Sequence, residues 1–483
     1  MYKWLLCWRY LRTRYLALAC IVSVMLGVAT LIVVNSVMEG FATKLRQRLR
    51  GIQADILVEA RSHDGFPGVE EKIARVQQLL GDRIVAVTPV IETFAMLQFR
   101  YQHVGEVITR PVRLIGIDTS SHAQTSDFAR HLLNPYFQSN PEECFRLLGA
   151  ARERYERLRD WIADDTESQS YQAPSGLPPP EPPAATEASS PFTAVLGYGI
   201  ATYRNPQARA TDQHKDVFLL VPGDSVQLTM VTRSDLPGHD GTQGYPRPVT
   251  ASFVISDLFR CEMSEYDASL VFVDIRDVQR LRAMPNRATS LHIRLRDYDG
   301  DARQAVELLR QHFHPALYAV QTWEDKQGPL LAAISIERGI LNILLFLIIA
   351  VAGFGILAIF FMIVVEKTRD IGILKALGAS SRGVMGIFLS YGLALGLVGA
   401  GLGTVLGVAI TVYINELEQW LARWTGQEVF PRDVYYFDRI PTDLQMHSVL
   451  LVNLGALAIA VGASVFPALR AAALQPVRAL RYE

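Results

Sequence analysis

The chain alternates between long uncharged stretches and one large region with the composition of a soluble protein. Charged side chains are absent from four stretches, residues 15–38, 339–365, 383–415 and 444–469. A helix crosses a bilayer core with about 20 predominantly apolar residues, so each stretch is long enough to span. The pattern predicts an α-helical membrane protein with four transmembrane helices and a large extramembrane domain between the first and the second.

The first stretch predicts a retained anchor and not a cleaved secretory signal. The apolar region of a signal has about 7–15 residues and ends at a small-residue cleavage site. Residues 15–38 form a longer run that ends in Asn35, Ser36, Val37 and Met38, without an Ala-x-Ala motif.

Charges in the short flanks predict the orientation. The first 14 residues carry four basic and no acidic side chains, and residues 366–382 and 470–483 each carry two more basic than acidic side chains. Residues 416–443 carry three more acidic than basic side chains. Because cytoplasmic flanks are enriched in Lys and Arg, both termini and residues 366–382 are predicted to be cytoplasmic. The large domain and residues 416–443 are then outside.

Strand-like and helix-like segments alternate within the large domain. Period-two or β-branched runs predict strands at residues 54–59, 83–99, 112–117, 217–221, 225–231, 291–295 and 317–321. Apolar residues at helical spacing predict helices at residues 70–80 and 301–313. This order is typical of an α+β domain with mixed sheets.

Residues 119–192 interrupt this alternation and form a predicted insertion. Its first part places Phe145, Leu148, Tyr155 and Leu158 at helical spacing. Residues 174–191 contain seven prolines in 18 positions, a composition that indicates a disordered or polyproline-like tether. A surface insertion is favoured over a ligand for a proline-binding partner, and the sequence gives the insertion no function.

Motifs for enzymatic chemistry are absent. The chain has no phosphate-binding loop, no His-Glu-x-x-His metal motif and no clustered cysteines, so it is predicted to be neither an enzyme nor a metal protein. The net charge of −1 gives no indication of nucleic-acid binding. Cys144 and Cys261 lie in the outer domain, where a disulfide is possible, and whether they pair is left open.

Residues 366–378 form a charged amphipathic segment between two predicted spans. Ile371, Leu374 and Leu377 are predicted to share one face, with Lys375 pointing away and Gly378 suited to a helix C-cap. Such a helix either floats in the membrane interface or docks onto a cytoplasmic partner. Docking is favoured because the helix is short and is held between two spans.

Two further patterns concern the spans. Residues 38–50 continue the first stretch with Leu45 and Leu49 four apart and Gly51 after them, which predicts one long helix leaving the membrane rather than a surface helix. Small residues spaced by four allow close helix packing in lipid, either within the chain or between subunits. The third stretch has this spacing at Gly392, Gly396, Gly399, Gly403 and Gly407.

Several motifs resemble one permease family. Residues 366–379 read EKTRDIGILKALGA, and residues 467–472 and 475–483 read PALRAA and QPVRALRYE. These are similar to the coupling segment and C-terminus of FtsX/MacB-type ABC transporter permeases. The motifs SVMEGF at 36–41, LRQRLRG at 45–51, LIGID at 114–118, PGD at 222–224, EYD at 265–267 and TW at 322–323 resemble the LolC/LolE lipoprotein-releasing transmembrane subunits.

The resemblance implies an order of segments in a bacterial inner membrane. A cytoplasmic N-terminus (1–14) precedes TM1 (15–38), a MacB-like periplasmic α+β domain (39–337) and TM2 (338–365). A cytoplasmic coupling helix (366–382), TM3 (383–415), a periplasmic loop (416–443), TM4 (444–469) and a cytoplasmic tail (470–483) follow.

The resemblance also implies partners and site residues. A LolD-like ATPase dimer, which would bind ATP and Mg, would couple through Glu366, Lys367, Arg369, Asp370, Ile371, Leu374, Lys375, Leu377 and Gly378. The acyl chains of a lipoprotein, together with membrane lipid, would contact Val33, Val37, Met38, Phe41, Phe354, Leu357 and Phe361. A LolA-like periplasmic carrier would dock on a hairpin with Thr232, Pro237, Gly238, Tyr245, Pro246 and Pro248.

The implied function is a permease subunit without its own ATPase site, working with a second copy or a paralogue. It would couple ATP hydrolysis to the extraction of lipoproteins towards the carrier. The alternatives are a MacB-like mechanotransmission exporter and an FtsX-like signalling protein that controls a cell-wall hydrolase. The insertion at residues 119–192 departs from the family pattern and leaves cargo and carrier open.

Overall fold

The structure, a computed structural model, describes residues 15–100, 107–168, 191–204, 216–232, 246–261, 263–425 and 439–475. Two compact units divide the chain. Among the described residues, the helical unit comprises residues 15–45, 329–425 and 439–475, and the inserted domain lies within residues 46–328. The N-terminal flank, the predicted tether apart from Pro191, and the tail beyond residue 475 lie outside the described residues.

The elements are numbered in chain order. The helices are α1 (Tyr15–Ile52), α2 (Val69–Leu80), α3 (Thr119–Thr125), α4 (Pro135–Ser139), α5 (Gly149–Ser168), α6 (Tyr198–Ala201), α7 (Ser264–Asp267), α8 (Ile275–Leu281), α9 (Tyr298–His312), α10 (Trp323–Lys326), α11 (Gly328–Glu366), α12 (Thr368–Ala376), α13 (Ser381–Val412), α14 (Ile414–Thr425) and α15 (Met446–Ala473). The strands are β1 (Ile56–Ala60), β2 (Phe66–Pro67), β3 (Ile84–Arg100), β4 (Val107–Ile117), β5 (Phe192–Gly197), β6 (Thr202–Arg204), β7 (Asp216–Phe218), β8 (Ser225–Val231), β9 (Pro248–Phe259), β10 (Leu270–Asp274), β11 (Arg287–Ala288), β12 (Ser290–Leu295) and β13 (Tyr318–Thr322).

Four helices of the described chain are long and apolar enough to cross a membrane, namely α1, α11, α13 and α15. They coincide with the four uncharged stretches, so the predicted fold class is confirmed. Helix α11 starts at Gly328, ten residues before the predicted span. Glu337 and Arg338 end the apolar stretch but not the helix, because a helix is set by its backbone hydrogen bonds and tolerates charged side chains at its surface.

Glycines of α13 bring it close to two other helices of the helical unit. A β-carbon added at Gly403 would lie 2.7 Å from the Met25 carbonyl oxygen of α1, and one added at Gly396 would lie 2.9 Å from Ala460 Cβ of α15. Both distances are below ordinary van der Waals contact, so only glycine permits these approaches. The stripe of small residues therefore packs within this chain.

Polar contacts join the ends of the membrane helices where their uncharged stretches stop. Arg338 Nη1 lies 2.5 Å from Glu39 Oε2. This ion pair joins the start of the apolar part of α11 to the end of the apolar part of α1. The amide of Asp443 donates to the Ser36 carbonyl at 2.9 Å. This level of the helical unit is called the Glu39 boundary below, and the level of residue 366 is called the Glu366 boundary.

The inserted domain is built on a nine-stranded mixed sheet in the order β13-β1-β12-β3-β4-β10-β5-β9-β8. The 17-residue β3 also pairs with β8, which closes a cycle of six strands. The pairs β4–β10 and β5–β9 are parallel and the other pairings of this sheet are antiparallel. Apolar side chains of these strands and of α8 fill the interior, and the predicted α+β class is confirmed.

The first half of the predicted insertion is buried against the face of β10 that points away from this interior. Phe128 is 3% exposed, and its ring centroid lies 4.8 Å from that of Phe272 on β10. Phe137 and Cys144 are also buried. Cys144 and Cys261 are both free thiols, so the described chain does not contain the disulfide that the sequence left open.

Candidate functional site

Helix α12 is a short helix between α11 and α13, joined to each by a tight turn. Lys367 interrupts the helical geometry with φ −97° and ψ 13°. The Thr368 hydroxyl donates to the Val364 carbonyl at 2.9 Å and bridges this break. On the far side, the Ser380 hydroxyl accepts from the Gly383 amide at 3.1 Å and caps α13. Both ends of α12 are thus fixed to the membrane helices.

The C-terminus of α12 has the geometry of a Schellman cap. The Gly378 amide donates to the Lys375 carbonyl at 3.1 Å, and the Ala379 amide donates to the Leu374 carbonyl at 3.0 Å. Gly378 has φ 96°, a left-handed conformation that residues with a β-carbon rarely adopt. The glycine therefore allows the chain to leave α12 and enter α13 within four residues.

The inner face of α12 is attached to the membrane helices at two residues. Ile371 is 4% exposed and packs in the cluster that includes Phe360 of α11 and Val384 of α13. Lys375 Nζ donates to the carbonyl oxygens of Ala472 and Leu474, each at 2.7 Å. The prediction that Lys375 points away was wrong, because the last carbonyls of α15 have no intrahelical partner and attract a cation.

The outer face of α12 is exposed. Ile373 is 44% and Leu377 is 81% exposed, and Arg369 and Asp370 lie beside them. Lys367 Nζ and Asp370 Oδ2 form a surface ion pair at 2.8 Å. This face therefore offers two apolar side chains within a charged rim.

The predicted apolar face of α12 is only partly correct. Ile371, Leu374 and Leu377 follow a spacing of three, which drifts by about 60° per step on a helix with 3.6 residues per turn. Ile371 is consequently buried, Leu374 is half-buried and Leu377 is exposed. Ile373, which the sequence reading missed, is four residues before Leu377, and that spacing is the signal for a shared face.

The predicted acyl-chain residues lie at different depths of the membrane helices. Val33, Val37, Met38 and Phe41 are half-buried near the Glu39 boundary. Phe361 is near the Glu366 boundary, where its ring lies 5.8 Å from that of Phe466 and 5.5 Å from Arg470 Cζ.

Helices α1 and α11 are antiparallel, which explains this separation. Glu39 pairs with Arg338, and Leu31 packs with Leu345. Exposed side chains of α11 at the level of Val33–Phe41 therefore come from residues such as Ile340 and Ile343. Phe354, Leu357 and Phe361 are several turns further along α11, so the structure does not bring the two predicted groups together.

Strands β8 and β9 flank the predicted carrier hairpin. Val231 pairs with Pro248, and the Thr232 amide donates to the Arg247 carbonyl at 2.9 Å. Buried Arg282 Nε donates to the Val231 carbonyl at 2.9 Å and fixes the hairpin base. Thr232, Pro246 and Pro248 are at this base, whereas Pro237, Gly238 and Tyr245 lie outside the described residues.

A cleft of about 290 Å³ in the inserted domain contains paired charges. Lys326 Nζ lies 2.6 Å from Glu59 Oε1, and Arg113 forms an ion pair with Glu92. Burial alone would raise the pKa of Glu92, but Lys326 and Arg113 hold that pKa below its usual value. The charges thus neutralise one another. Among the described residues, no group of three His, Cys, Asp or Glu side chains is placed to hold a metal ion.

Comparison with known proteins identifies the membrane part. The family model described as FtsX-like permease C-terminal matches residues 342–476, which include all of α12, α13, α14 and α15. The chain carries an FtsX-like permease domain. The sequence motifs, the four membrane helices and the family match all indicate the same kind of protein. The resemblance to FtsX/MacB-type permeases predicted from the sequence is therefore confirmed.

Relatives extend the similarity beyond the FtsX-like domain. The lipoprotein-releasing system transmembrane protein LolC of Xylella fastidiosa (strain Temecula1) is 28% identical over 483 residues, which cover 98% of this chain and 97% of that protein. LolE of Haemophilus influenzae is 29% identical over 242 residues, which cover 50% of this chain and 58% of that protein. The periplasmic region of MacB from Actinobacillus actinomycetemcomitans matches 59% of this chain and 97% of that chain, with 12% identity and a TM-score of 0.27.

Proposed function

We propose that the chain is the permease subunit of an ABC transporter that extracts lipoproteins from the bacterial inner membrane. Similarity to LolC along nearly the whole chain and the FtsX-like domain at residues 342–476 support this function. Both termini and α12 face the cytoplasm in this proposal, as the basic flanks indicate, and the inserted domain is periplasmic.

The observation that carries the proposal is the two-sided environment of α12. Its exposed face, with Ile373, Leu377 and Arg369, docks onto a separate LolD-like ATPase that binds ATP and Mg. Its inner face is attached to the membrane helices through Ile371 and Lys375. A displacement imposed on the outer face is therefore passed to α11, α13 and α15 and not absorbed by a flexible loop.

The cargo end of the proposal lies at the Glu39 boundary. Half-buried Val37, Met38 and Phe41 on α1 are available to the acyl chains of a lipoprotein. Helix α1 continues without interruption for 38 residues, so motion of its membrane part is transmitted along a rigid element. The β8–β9 hairpin receives a LolA-like periplasmic carrier, and a second permease copy or a paralogue completes the transporter.

Reconstitution tests this function. The permease, its partner permease and the ATPase are placed in proteoliposomes with an acylated lipoprotein, and ATP-dependent transfer to a soluble carrier is measured. Leu377→Arg is expected to lower the ATPase activity of the complex and the transfer at least tenfold. Leu317→Arg, at another exposed leucine in the inserted domain, is the matched control and leaves both unchanged.

Two outcomes would contradict the proposal. Equal transfer by Leu377→Arg and the unaltered protein would show that the outer face of α12 is not the docking surface. An active ATPase that releases no acylated protein, but moves a soluble substrate or recruits a hydrolase regulator, would favour the MacB-like or the FtsX-like alternative.

A further inference from the structure

Helix α14 is an amphipathic helix directly after the third membrane helix. Only Tyr413 separates it from α13. Tyr413, Leu417, Trp420 and Trp424 recur at intervals of four, three and four residues, so they share one helical face. The rings of Trp420 and Trp424 are stacked, with centroids 6.4 Å apart and an interplanar angle of 8°.

This aromatic face is exposed. Trp420 is 59% and Trp424 is 79% exposed, and Leu417 and Tyr413 are exposed as well. Four large apolar or aromatic side chains in one row are costly to leave in water, and they form a contiguous patch of the kind that marks an interaction surface.

Hydrogen bonds hold the start of α14 at the Glu39 boundary. Asn415 Oδ1 accepts from the Ile440 amide at 2.8 Å, which joins α14 to the segment that leads into α15. That segment lies against α1, because a β-carbon added at Gly40 would be 2.6 Å from Pro441 and the Asp443 amide bonds Ser36. The helix therefore begins level with residues 36–40, where the apolar part of α1 ends.

The chemistry of the row fits a phospholipid interface. Trp and Tyr concentrate at the boundary between headgroups and acyl chains, since their rings are apolar and their N–H and O–H groups remain hydrogen-bonded there. The opposite side of α14 carries Glu418 and Gln419 and suits water. Because α13 already holds α14 at the membrane, no excess of basic residues is needed for attraction to anionic lipid.

We propose that α14 lies in the headgroup region on the Glu39 side of the bilayer, with the face formed by Tyr413, Leu417, Trp420 and Trp424 towards the phospholipid acyl chains. The occupant of this face is the outer layer of bulk phospholipid and not a protein. The assignment is independent of the ATPase and of the cargo.

Tryptophan quenching tests this placement in the full-length protein. The protein is reconstituted in phosphatidylcholine vesicles whose acyl chains are brominated either near the headgroup or near the chain end. Quenching by the bromines near the headgroup is expected to exceed quenching by those near the chain end. Trp420→Phe with Trp424→Phe is expected to remove this component, whereas Trp323→Phe, a buried position of the inserted domain, retains it.

Aqueous acrylamide distinguishes the remaining outcomes. If Trp420 and Trp424 are quenched by acrylamide and not by brominated lipid, the face is in water and the proposal is overturned. If neither quencher reaches them, a protein surface covers the face, which overturns the proposal equally. The Phe variants keep an aromatic ring at both positions and are therefore expected to fold. An unchanged unfolding transition verifies this.

Discussion

Lys375 Nζ lies 2.7 Å from the carbonyl oxygen of Leu474, just beyond the last turn of α15. The same ammonium group donates to the Ala472 carbonyl at 2.7 Å. A residue of α12 thus supplies the hydrogen bonds that the end of α15 cannot make within its own helix. In the proposed transporter this contact joins the helix that meets the ATPase to the fourth membrane helix.

Replacing Lys375 by Met is expected to lower the stability of the helical unit. Hydrogen bonds from a charged donor contribute about 1.5–3 kcal/mol, and the variant leaves two carbonyls at the end of α15 without this donor. We expect a loss of about 2 kcal/mol, measured as a lower unfolding midpoint in detergent.

Arg369→Met is the matched control for this experiment, because it removes an exposed cation from the same helix. Surface charges contribute about 0–1 kcal/mol, so its midpoint should stay close to that of the unaltered protein. Equal midpoints for Lys375→Met and Arg369→Met would show that the contact with α15 does not stabilise the protein.

Ile371→Ala and Leu377→Ala separate the two faces of α12. Ile371 is buried between membrane helices, so its truncation leaves a cavity and is expected to cost about 2 kcal/mol of stability. Leu377→Ala should leave stability unchanged and reduce copurification of the ATPase. Thermal unfolding and pull-down of the ATPase are the two measurements, and the opposite pattern would assign the docking surface to Ile371.

Gly403→Ala tests the close packing of α13 against α1. The added methyl group would lie 2.7 Å from the Met25 carbonyl oxygen and 2.8 Å from Val28 Cβ. Overpacking of this kind costs about 1–3 kcal/mol. Gly401→Ala is the matched control, because nothing lies within 4 Å of its added β-carbon and the change favours the helix. If both variants unfold at the same temperature, the two helices are further apart than described.

The inserted domain is expected to lose stability in mild acid because His122 is buried and the two ring nitrogens of His292 are buried. His122 Nδ1 and both ring nitrogens of His292 have no hydrogen-bond partner among the described residues, and the ring centroids are 6.2 Å apart. Burial lowers the pKa of His122 from 6.5 to about 4, with Asp118 opposing the change. Burial, with His122 and Lys326 nearby, lowers the pKa of His292 well below 6.5.

The direction of the effect follows from proton binding. Between pH 6.5 and 4 the unfolded chain binds a proton at His122 that the folded domain excludes, so stability falls as the pH is lowered. The loss from pH 7 to pH 5 is about 2 kcal/mol for His122. Hydrogen exchange of β12 measures it, and His122→Phe should flatten the profile whereas exposed His314→Gln should not. An unchanged protection factor at pH 5, which corrects for the slower intrinsic exchange of amides in acid, would contradict the prediction.

The sequence was sufficient for the membrane helices and for the strands with a clear period of two. Uncharged stretches mark spans because a charge in hydrocarbon is costly, and β12 alternates apolar and polar residues as a half-buried strand should. Strands β5, β9 and β10 were missed. They lie in the closed part of the sheet, and three of their residues, Val195, Ile255 and Phe272, are buried in runs without alternation.

The sequence predicted where α12 lies in the chain, but it did not predict which side of α12 is buried. Charge and glycine patterns located α12 and its cap, yet the buried side of a short helix depends on which neighbours surround it. The contact of Lys375 with α15 joins residues almost a hundred positions apart, and no local pattern reports such a pairing. Phe361 was grouped with Phe41 for the same reason. Which residues of α11 lie beside which residues of α1 is determined by long-range contacts, such as the ion pair of Glu39 with Arg338.

The glycines of α13 have a mechanical consequence. Side chains of α1 pack against Gly399, Gly403 and Gly407, and side chains of α15 pack against Gly392 and Gly396. A slide of α1 by a single residue, about 1.5 Å, would press a Val or Ile branch against the α13 backbone. Shear between these three helices is therefore blocked, and in the proposed transporter α1, α13 and α15 would carry a load from the Glu366 boundary across the bilayer as a single stiff block.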